Sequence, residues 1–464
     1  MASSLSTKIL ENCQIPPASD LPESATEFSL PLTFLDLFWL RFPPVERLFF
    51  YQLTDSTPSF FNSVILPKLK LSFSLTLVHY LPFAGHLTWP SNSPKPIILY
   101  TPNDGVPFTV AESDADMDYL SSDDIRVATE LHPYVPELPI SETRSSIIAF
   151  QITLFPNKGF SIGYSINHAV LDGQSVTMFM KAWAYISKHG ERSLLPELSP
   201  FYERNGLQDP KDLESLFLSQ WNCITESLSR DNPRSLKVLP HVVEVTNKVR
   251  STFKLSNEDL NKMKKKILSQ LEDPIDHLSD FVITCAYVIV CMVKARGGDE
   301  NRTVWFLYSV DCRKRLNPPL PRNYFGNCIA VHEVIAVARD FMEENGLWIT
   351  AKRISESIKA IETNGVLEGA EEKLSVFKSM NDGVQMISVA GSTRFGVYGC
   401  DFGWGKPKKV EIISIDRTGA ISFKESKDGN GVEIGLALNR NEMEIFAPLF
   451  VNGLKDLSEA LVVV

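Results

Sequence analysis

One histidine and one aspartate stand four residues apart in Ser165-Ile166-Asn167-His168-Ala169-Val170-Leu171-Asp172-Gly173. An imidazole titrates near pH 6.5 when unperturbed, so His168 can take a proton from a substrate hydroxyl at neutral pH. Asp172 can fix the geometry of such a base or cap a helix, and Gly173 lets the backbone turn. The same pair also fits a core histidine followed by a helix cap, since short patterns recur by chance. A metal site needs three or four ligands, and this segment holds no second histidine. Activation of a hydroxyl by His168 is the third reading.

More than two hundred residues downstream lies Asp401-Phe402-Gly403-Trp404-Gly405. Taken alone it reads as a glycine-rich turn with an aromatic packed into the core. Lys262, Lys264, Lys265 and Lys266 make the densest basic cluster, and Lys406, Lys408 and Lys409 follow the pentapeptide. A lysine run is ordinarily a solvated face. In an acidic chain it is also where an anionic ligand finds positive charge.

Residues placed for chemistry need rigid supports. Ile147 to Phe155 reads as a strand, Pro156-Asn157-Lys158-Gly159 as a turn and Phe160 to Ile166 as the returning strand. After Gly173 the period changes: Val176, Phe179, Met180 and Trp183 fall on one helical face. His168 thus follows a strand and Asp172 precedes a helix. From Leu194 to Val249 the chain is polar and irregular, with Pro196, Pro200, Pro210, Pro233 and Pro240, and reads as a crossover between halves. Ser256 caps a helix that starts with Glu258 and Asp259, Phe281 to Val293 reads as a buried helix, and Thr303 to Val310 as a buried strand. Val410 to Ile415, Ala420 to Phe423 and Val432 to Leu438 read as a meander turned at Asp416–Gly419 and Asp428–Gly431. A last helix is expected from Asn441, kinked at Pro448.

A chain of 464 residues suits two domains, and 44% hydrophobic with 22% charged residues allows a full core. The net charge of −10 argues against a nucleic-acid partner. Seven cysteines without a CxxC pair or a Cys/His cluster exclude a disulfide framework and a zinc site. No apolar leader is visible at the N-terminus, and the run from Phe281 to Val293 is too short to span a bilayer core of ~30 Å. The expectation is a reduced, cytosolic protein with no metal and no membrane insertion.

Several further segments accompany these two: Tyr80-Leu81-Pro82-Phe83-Ala84-Gly85, Asp311-Cys312-Arg313 and Tyr324-Phe325-Gly326-Asn327-Cys328. With the His168 and Asp401 motifs, in this order and over essentially the whole chain, they resemble the plant BAHD acyltransferase family. Leu32-Thr33-Phe34-Leu35-Asp36 and Ser388-Val389-Ala390-Gly391-Ser392 place the resemblance within its anthocyanin and phenolic-glucoside subgroup. The resemblance implies an α/β chain of two similar chloramphenicol-acetyltransferase-like domains, each a mixed sheet flanked by helices. Domains at 1–205 and 250–464, joined by a crossover at 206–249, follow from it. It implies acyl transfer from a coenzyme A thioester, used as co-substrate with no resident cofactor, to an alcohol or amine, by a monomer.

In that reading His168 is the catalytic base. Asp172 turns away from the reacting groups and pairs with Arg313, while Gly173, Asp401, Gly403 and Gly405 are structural and Trp404 lies near the site. Lys264, Lys265 and Ser279 are the expected coenzyme A contacts. Cys328 and Cys400 need not act, because no acyl-enzyme is required. Malonyl-CoA with a flavonoid, anthocyanin or phenolic glucoside is the first choice of substrates, and a hydroxycinnamoyl-CoA donor the second. A peptide-synthesis condensation domain, which often has HHxxxDG where this chain has Asn167 before His168, and a catalytically silent binding module are the readings from other classes.

Overall fold

The computed structural model describes residues 7–20, 22–227, 232–239, 245–270, 277–375 and 383–460. The apolar runs on either side of Pro156-Asn157-Lys158-Gly159 pair as an antiparallel hairpin, Ile148–Phe155 against Gly159–Ile166, with both strands buried throughout. Gly159–Ile166 alternates large apolar Phe160, Ile162, Tyr164 and Ile166 with small Ser161, Gly163 and Ser165, so one face carries the core residues and the other, also buried, takes only small ones. The hairpin is central to a six-stranded mixed sheet. Its order is Lys8–Ile15, Val106–Glu112, Ile148–Phe155, Gly159–Ile166, Val45–Gln52 and Lys409–Ile412. A seven-stranded sheet runs Ile329–Val337, Thr303–Asp311, Gln385–Gly391, Ile421–Glu425, Val432–Asn439, Lys248–Leu255 and Arg126–Val127. A small third sheet has four strands.

Each large sheet borrows an edge strand from the other half of the sequence. Lys409–Ile412 pairs with Val45–Gln52, and Arg126–Val127 pairs with Lys248–Leu255. Buried charges hold the exchange: Arg126 Nη2 donates to Glu411 Oε1 at 2.9 Å, Arg250 Nη2 to Glu411 Oε2 at 3.0 Å, and Arg250 Nη1 reaches Asp416 at 3.0 Å. Burial alone would raise the Glu411 carboxyl, but Lys409, Arg250, Lys424 and Arg126 hold it well below the usual carboxylate range. Removing one member would leave its partner charged and buried, which costs far more than a surface pair.

The helix Gly173–His189 is capped by Asp172 and buries Val176, Phe179, Met180 and Trp183, as the periodicity requires. Ser256 caps Asn257–Ser269 in a capping box with Asp259. Two expectations are corrected. The stretch 206–249 is not irregular throughout, because Leu213–Ser227 is a helix that buries Leu213, Phe217 and Trp221 at i, i+4 and i+8; Pro240 lies outside the described residues. The first strand of the expected meander leaves its neighbours for the other sheet, and Ile415–Thr418 is a helical turn closed by Gly419 at φ 70°. Ile421–Glu425 and Val432–Asn439 do pair as a hairpin. The final helix, Arg440–Ala460, continues past Pro448, whose exposed position lets water serve the carbonyl that loses its N–H partner.

Candidate active site

His168 follows directly on the buried strand Gly159–Ile166. Asn167 builds the turn that carries it. Its N–H donates to Ile147 O at 2.8 Å, its Nδ2 to Ser145 Oγ at 2.9 Å, and its Oδ1 accepts from Ala169 N–H at 2.9 Å. The His168 ring stacks face to face on Trp39, with centroids 4.0 Å apart and an interplanar angle of 0°, and Phe42 meets it edge-on at 6.4 Å. Its Nδ1 is sealed off without a hydrogen-bond partner, so a substrate can meet the ring only through Nε2. Burial pushes the His168 pKa down to about 4, against the opposing pull of its own carbonyl, Asp172 and Asn327. The imidazole is therefore neutral at pH 7, the form a base needs.

Asp172 points away from that ring. Arg313 Nη1 lies 2.9 Å from its Oδ2 and Arg313 Nη2 3.2 Å from its Oδ1, a bidentate pair with both side chains no more than 2% exposed. The same carboxylate accepts the N–H of Ser175 at 2.9 Å and of Cys328 at 3.0 Å. A second buried carboxylate, Asp36, grips the neighbouring amide. It accepts Asn327 N–H at 2.8 Å, Thr33 N–H at 2.9 Å and Arg204 Nη1 at 2.9 Å. Asn327 Nδ2 then donates to His168 O at 2.9 Å. Two Asp–Arg pairs thus hold successive amides of one segment, and that segment holds the carbonyl of the histidine. Sequence reasoning reached Asp172 and Arg313 but missed Asp36, Arg204, Asn327 and Trp39. The visible signal was Thr33-x-x-Asp36, a capping box before an apolar run.

Gly173 has a different reason from the one expected. Its backbone is not left-handed, yet a Cβ there would lie 2.6 Å from the Phe395 ring. Close approach, not a turn, requires the glycine.

Asp401 ties its own loop: Oδ1 accepts the N–H groups of Gly403 and Gly405, both at 2.9 Å, and Oδ2 meets Lys188 Nζ at 2.7 Å. Gly403 and Gly405 have φ of 104° and 98°, values that other residues rarely adopt. Phe402 is buried against Trp183. Trp404 packs on Phe160 and beneath Lys68. Phe160 begins the strand whose far end leads to His168, and six residues of strand rise ~20 Å. Trp404 and the two glycines are therefore remote from the imidazole, which corrects the expectation that Trp404 lies near the site.

Lys264 and Lys265 are exposed on their helix. Ser279 is exposed and caps Asp280–Arg296 by accepting from Val282 N–H. Lys408 and Lys409 are engaged by Asp118 and Asp123, so those two cations are already neutralised. Burial raises the Cys328 thiol far above its ordinary value and that of Cys400 to about 12, which leaves neither as a nucleophile. No group of His, Cys, Asp and Glu able to hold a metal occurs among the described residues. No helix among them is long and apolar enough to cross a membrane.

A cleft of about 910 Å³ is lined by Pro44, Pro136, Leu138 and Val238 and by the charged Glu46, Glu137, Arg144 and Arg417, among others. Phe42 meets the His168 ring edge-on, and Pro44, two residues on, lines the cleft; His168 itself does not line it.

A model of the Transferase family matches residues 6–450. Phenolic glucoside malonyltransferase 1 of Arabidopsis thaliana is 43% identical over 98% of this chain and 99% of its own. Agmatine coumaroyltransferase of the same plant is 40% identical over 96% of this chain and 99% of its own. The crystal structure of vinorine synthase has the same fold, with a TM-score of 0.69 at 20% identity, covering 96% of this chain and 98% of that one.

Proposed function

We infer the reaction from one premise: the chain belongs to the BAHD acyltransferase family, close to its phenolic-glucoside malonyltransferase subgroup. It is an acyl-coenzyme-A-dependent transferase. The finer reading is transfer of a malonyl group from malonyl-CoA to a sugar hydroxyl of a phenolic or flavonoid glucoside, with His168 as base. The relative named for malonyl transfer to phenolic glucosides supports the substrates. The single observation that carries the chemistry is a neutral imidazole with a sealed Nδ1, held on a rigid strand end.

A sugar hydroxyl is a poor nucleophile at pH 7, whereas a thioester is already activated. His168 Nε2 takes the hydroxyl proton as the oxygen attacks the thioester carbonyl. Collapse of the tetrahedral intermediate breaks the C–S bond, and the imidazolium returns its proton to the coenzyme A thiolate. A placed base is worth about 10²–10⁴-fold in rate. Asp172, Arg313, Asp36 and Asn327 position the base and transfer no proton.

The cleft that Pro44 lines suits the acceptor. Its walls are about half apolar; Glu46 is engaged by Arg417 and Arg144 by Asp104, and Glu137, which has no ion-pair partner among the described residues, can bind sugar hydroxyls. Lys264 and Lys265, exposed and without an ion-pair partner among the described residues, suit the phosphates of coenzyme A. Residues 1–205 and 250–464 are read as two halves of a cytosolic monomer, interlocked by their exchanged strands. The coumaroyltransferase at 40% identity supports a second reading, a hydroxycinnamoyl donor.

Mixing the protein with malonyl-CoA or coumaroyl-CoA, each with a phenolic glucoside or agmatine, and following free-thiol release separates these cases. Release with malonyl-CoA and the glucoside is expected. Release only with coumaroyl-CoA would replace the donor, and release only with agmatine would replace the acceptor. No release in any pair would overturn the reading.

A further inference from the structure

Both halves of the chain meet in the wall of the cleft. His132 and Glu46 line it from the N-terminal half, and the helical turn Ile415–Thr418 meets them with two consecutive side chains. Arg417 engages Glu46, and Asp416 Oδ2 lies 3.1 Å from His132 Nε2. Asp416 is wholly buried and takes Arg250 Nη1 on both oxygens, at 3.1 and 3.0 Å. Its carboxylate can only accept, so in the neutral ring His132 Nε2 is the nitrogen that carries the hydrogen. Nδ1 is then an acceptor of fixed direction, on the side of the ring turned from Asp416.

That nitrogen is open. The His132 side chain is 21% exposed and lines the cleft. Its Nδ1 has no partner among the described residues, and it is not closed off as the Nδ1 of His168 is. Neighbouring polar groups are engaged: Glu46 by Arg417, Arg144 by Asp104, and Ser141 Oγ by Arg144 O. An oriented acceptor facing a cavity is matched by a donor on whatever enters it. The other end of the cleft reaches Ser146, and the adjacent Ser145 Oγ accepts from Asn167 Nδ2 beside His168. Glu46 pairs with Ser165, three residues before His168, and three residues of strand span ~10 Å. That is roughly the reach of a glucose carrying a para-hydroxylated phenyl ring.

We propose that His132 selects the acceptor: its Nδ1 accepts a hydrogen bond from a hydroxyl on the aromatic aglycone, remote from the sugar oxygen that is acylated. Asp416 and Arg250 keep the imidazole in the tautomer that can do so. His132 touches no reacting atom and sets which glucosides are used. The proposal rests on the reading of the cleft as the acceptor's site, and it holds for either acyl donor.

The test measures kcat/KM for 4-hydroxyphenyl glucoside and for phenyl glucoside at about pH 8, where an ordinary imidazole is neutral. The parent protein should prefer the hydroxylated acceptor by about three- to tenfold, the usual worth of one hydrogen bond. His132→Phe, which keeps a ring without nitrogens, should level the two acceptors through the acceptor KM and leave the donor KM unchanged. His132→Gln, which keeps an N–H for Asp416 and a carbonyl for the cleft, should restore part of the preference. If His132→Phe does not fold, His132→Gln against His132→Leu gives the same contrast. No preference in the parent, or one that survives in His132→Phe, overturns the proposal. Ser141→Trp, at the exposed rim of the cleft, keeps the two ideas apart: unchanged KM values for both acceptors in that variant defeat the cleft reading whatever His132 does.

Discussion

The acid limb of the pH profile should lie far below that of an ordinary histidine. Burial against Trp39 and Phe42 drives the His168 pKa down to about 4, and its own carbonyl, Asp172 and Asn327 only partly oppose it. At pH 5.5 a group with a pKa of 4 is about 97% neutral, whereas one at 6.5 is about 9% neutral, a tenfold difference in competent enzyme. The assay is kcat/KM from pH 4 to 8, which reports the free enzyme, with a donor that does not titrate in that window. Activity should stay flat down to about pH 5 and then fall toward pH 4.

The same shift has a stability sign. The fold prefers neutral His168, while the unfolded chain protonates it below about pH 6.5. Stability is therefore full above pH 6.5 and is lost as pH falls from there toward 4. His168→Asn should remove that share of the pH dependence and abolish turnover. An acid limb near 6.5 would refute the reasoning, because the working base would then be a solvated imidazole or another group.

Asp172→Asn should cost about 3–5 kcal/mol in denaturant unfolding, since it strands the buried Arg313 charge, and should lower kcat with it. Unchanged stability with unchanged turnover would show that the pair does not hold the base. Gly173→Ala puts a methyl 2.6 Å from the Phe395 ring and should cost about 1–3 kcal/mol; adding Phe395→Ala should restore most of it, and a failure to do so would mean the glycine is required for another reason. Lys264→Ala with Lys265→Ala should raise the donor KM several-fold at low salt and leave the acceptor KM alone. An equal donor KM would move the phosphate site elsewhere.

What the sequence disclosed, and what it hid, follows from the range of each interaction. The hairpin Ile148–Phe155 to Gly159–Ile166 and the helix from Gly173 are local, so period and turn residues were enough. The helix Leu213–Ser227 carries Leu213, Leu216, Phe217, Trp221 and Ile224 at helical spacing, and it was hidden because the prolines and polar residues on either side set the reading of the whole stretch. Val410 to Ile415 was read into a meander because nothing in its residues says that the strand, Lys409–Ile412 in the fold, pairs with Val45–Gln52, more than three hundred and fifty positions away. Local turn chemistry at Asp416–Gly419 fits a hairpin and a capped helical turn alike, and the distant pairing decided between them.

The two tryptophans show the same limit at the site. Trp404 stands in a glycine-rich motif and drew attention, yet its ring fills the far end of the strand that leads to His168. Trp39 stands in an apolar run where any indole reads as core. Only the fold lays it on the imidazole with its N–H unmatched. Asp36 was obscured in the same way. Its spacing from Thr33 announces a helix cap, and it does serve as one, but the other oxygen of the same carboxylate reaches Asn327 on the segment that secures His168. A carboxylate with several acceptor sites can finish a helix and position a distant base at once. Spacing reveals the first task because its partner is three residues away. The second depends on a contact across 291 positions, which makes the histidine's geometry a property of the assembled fold and not of the motif that contains it.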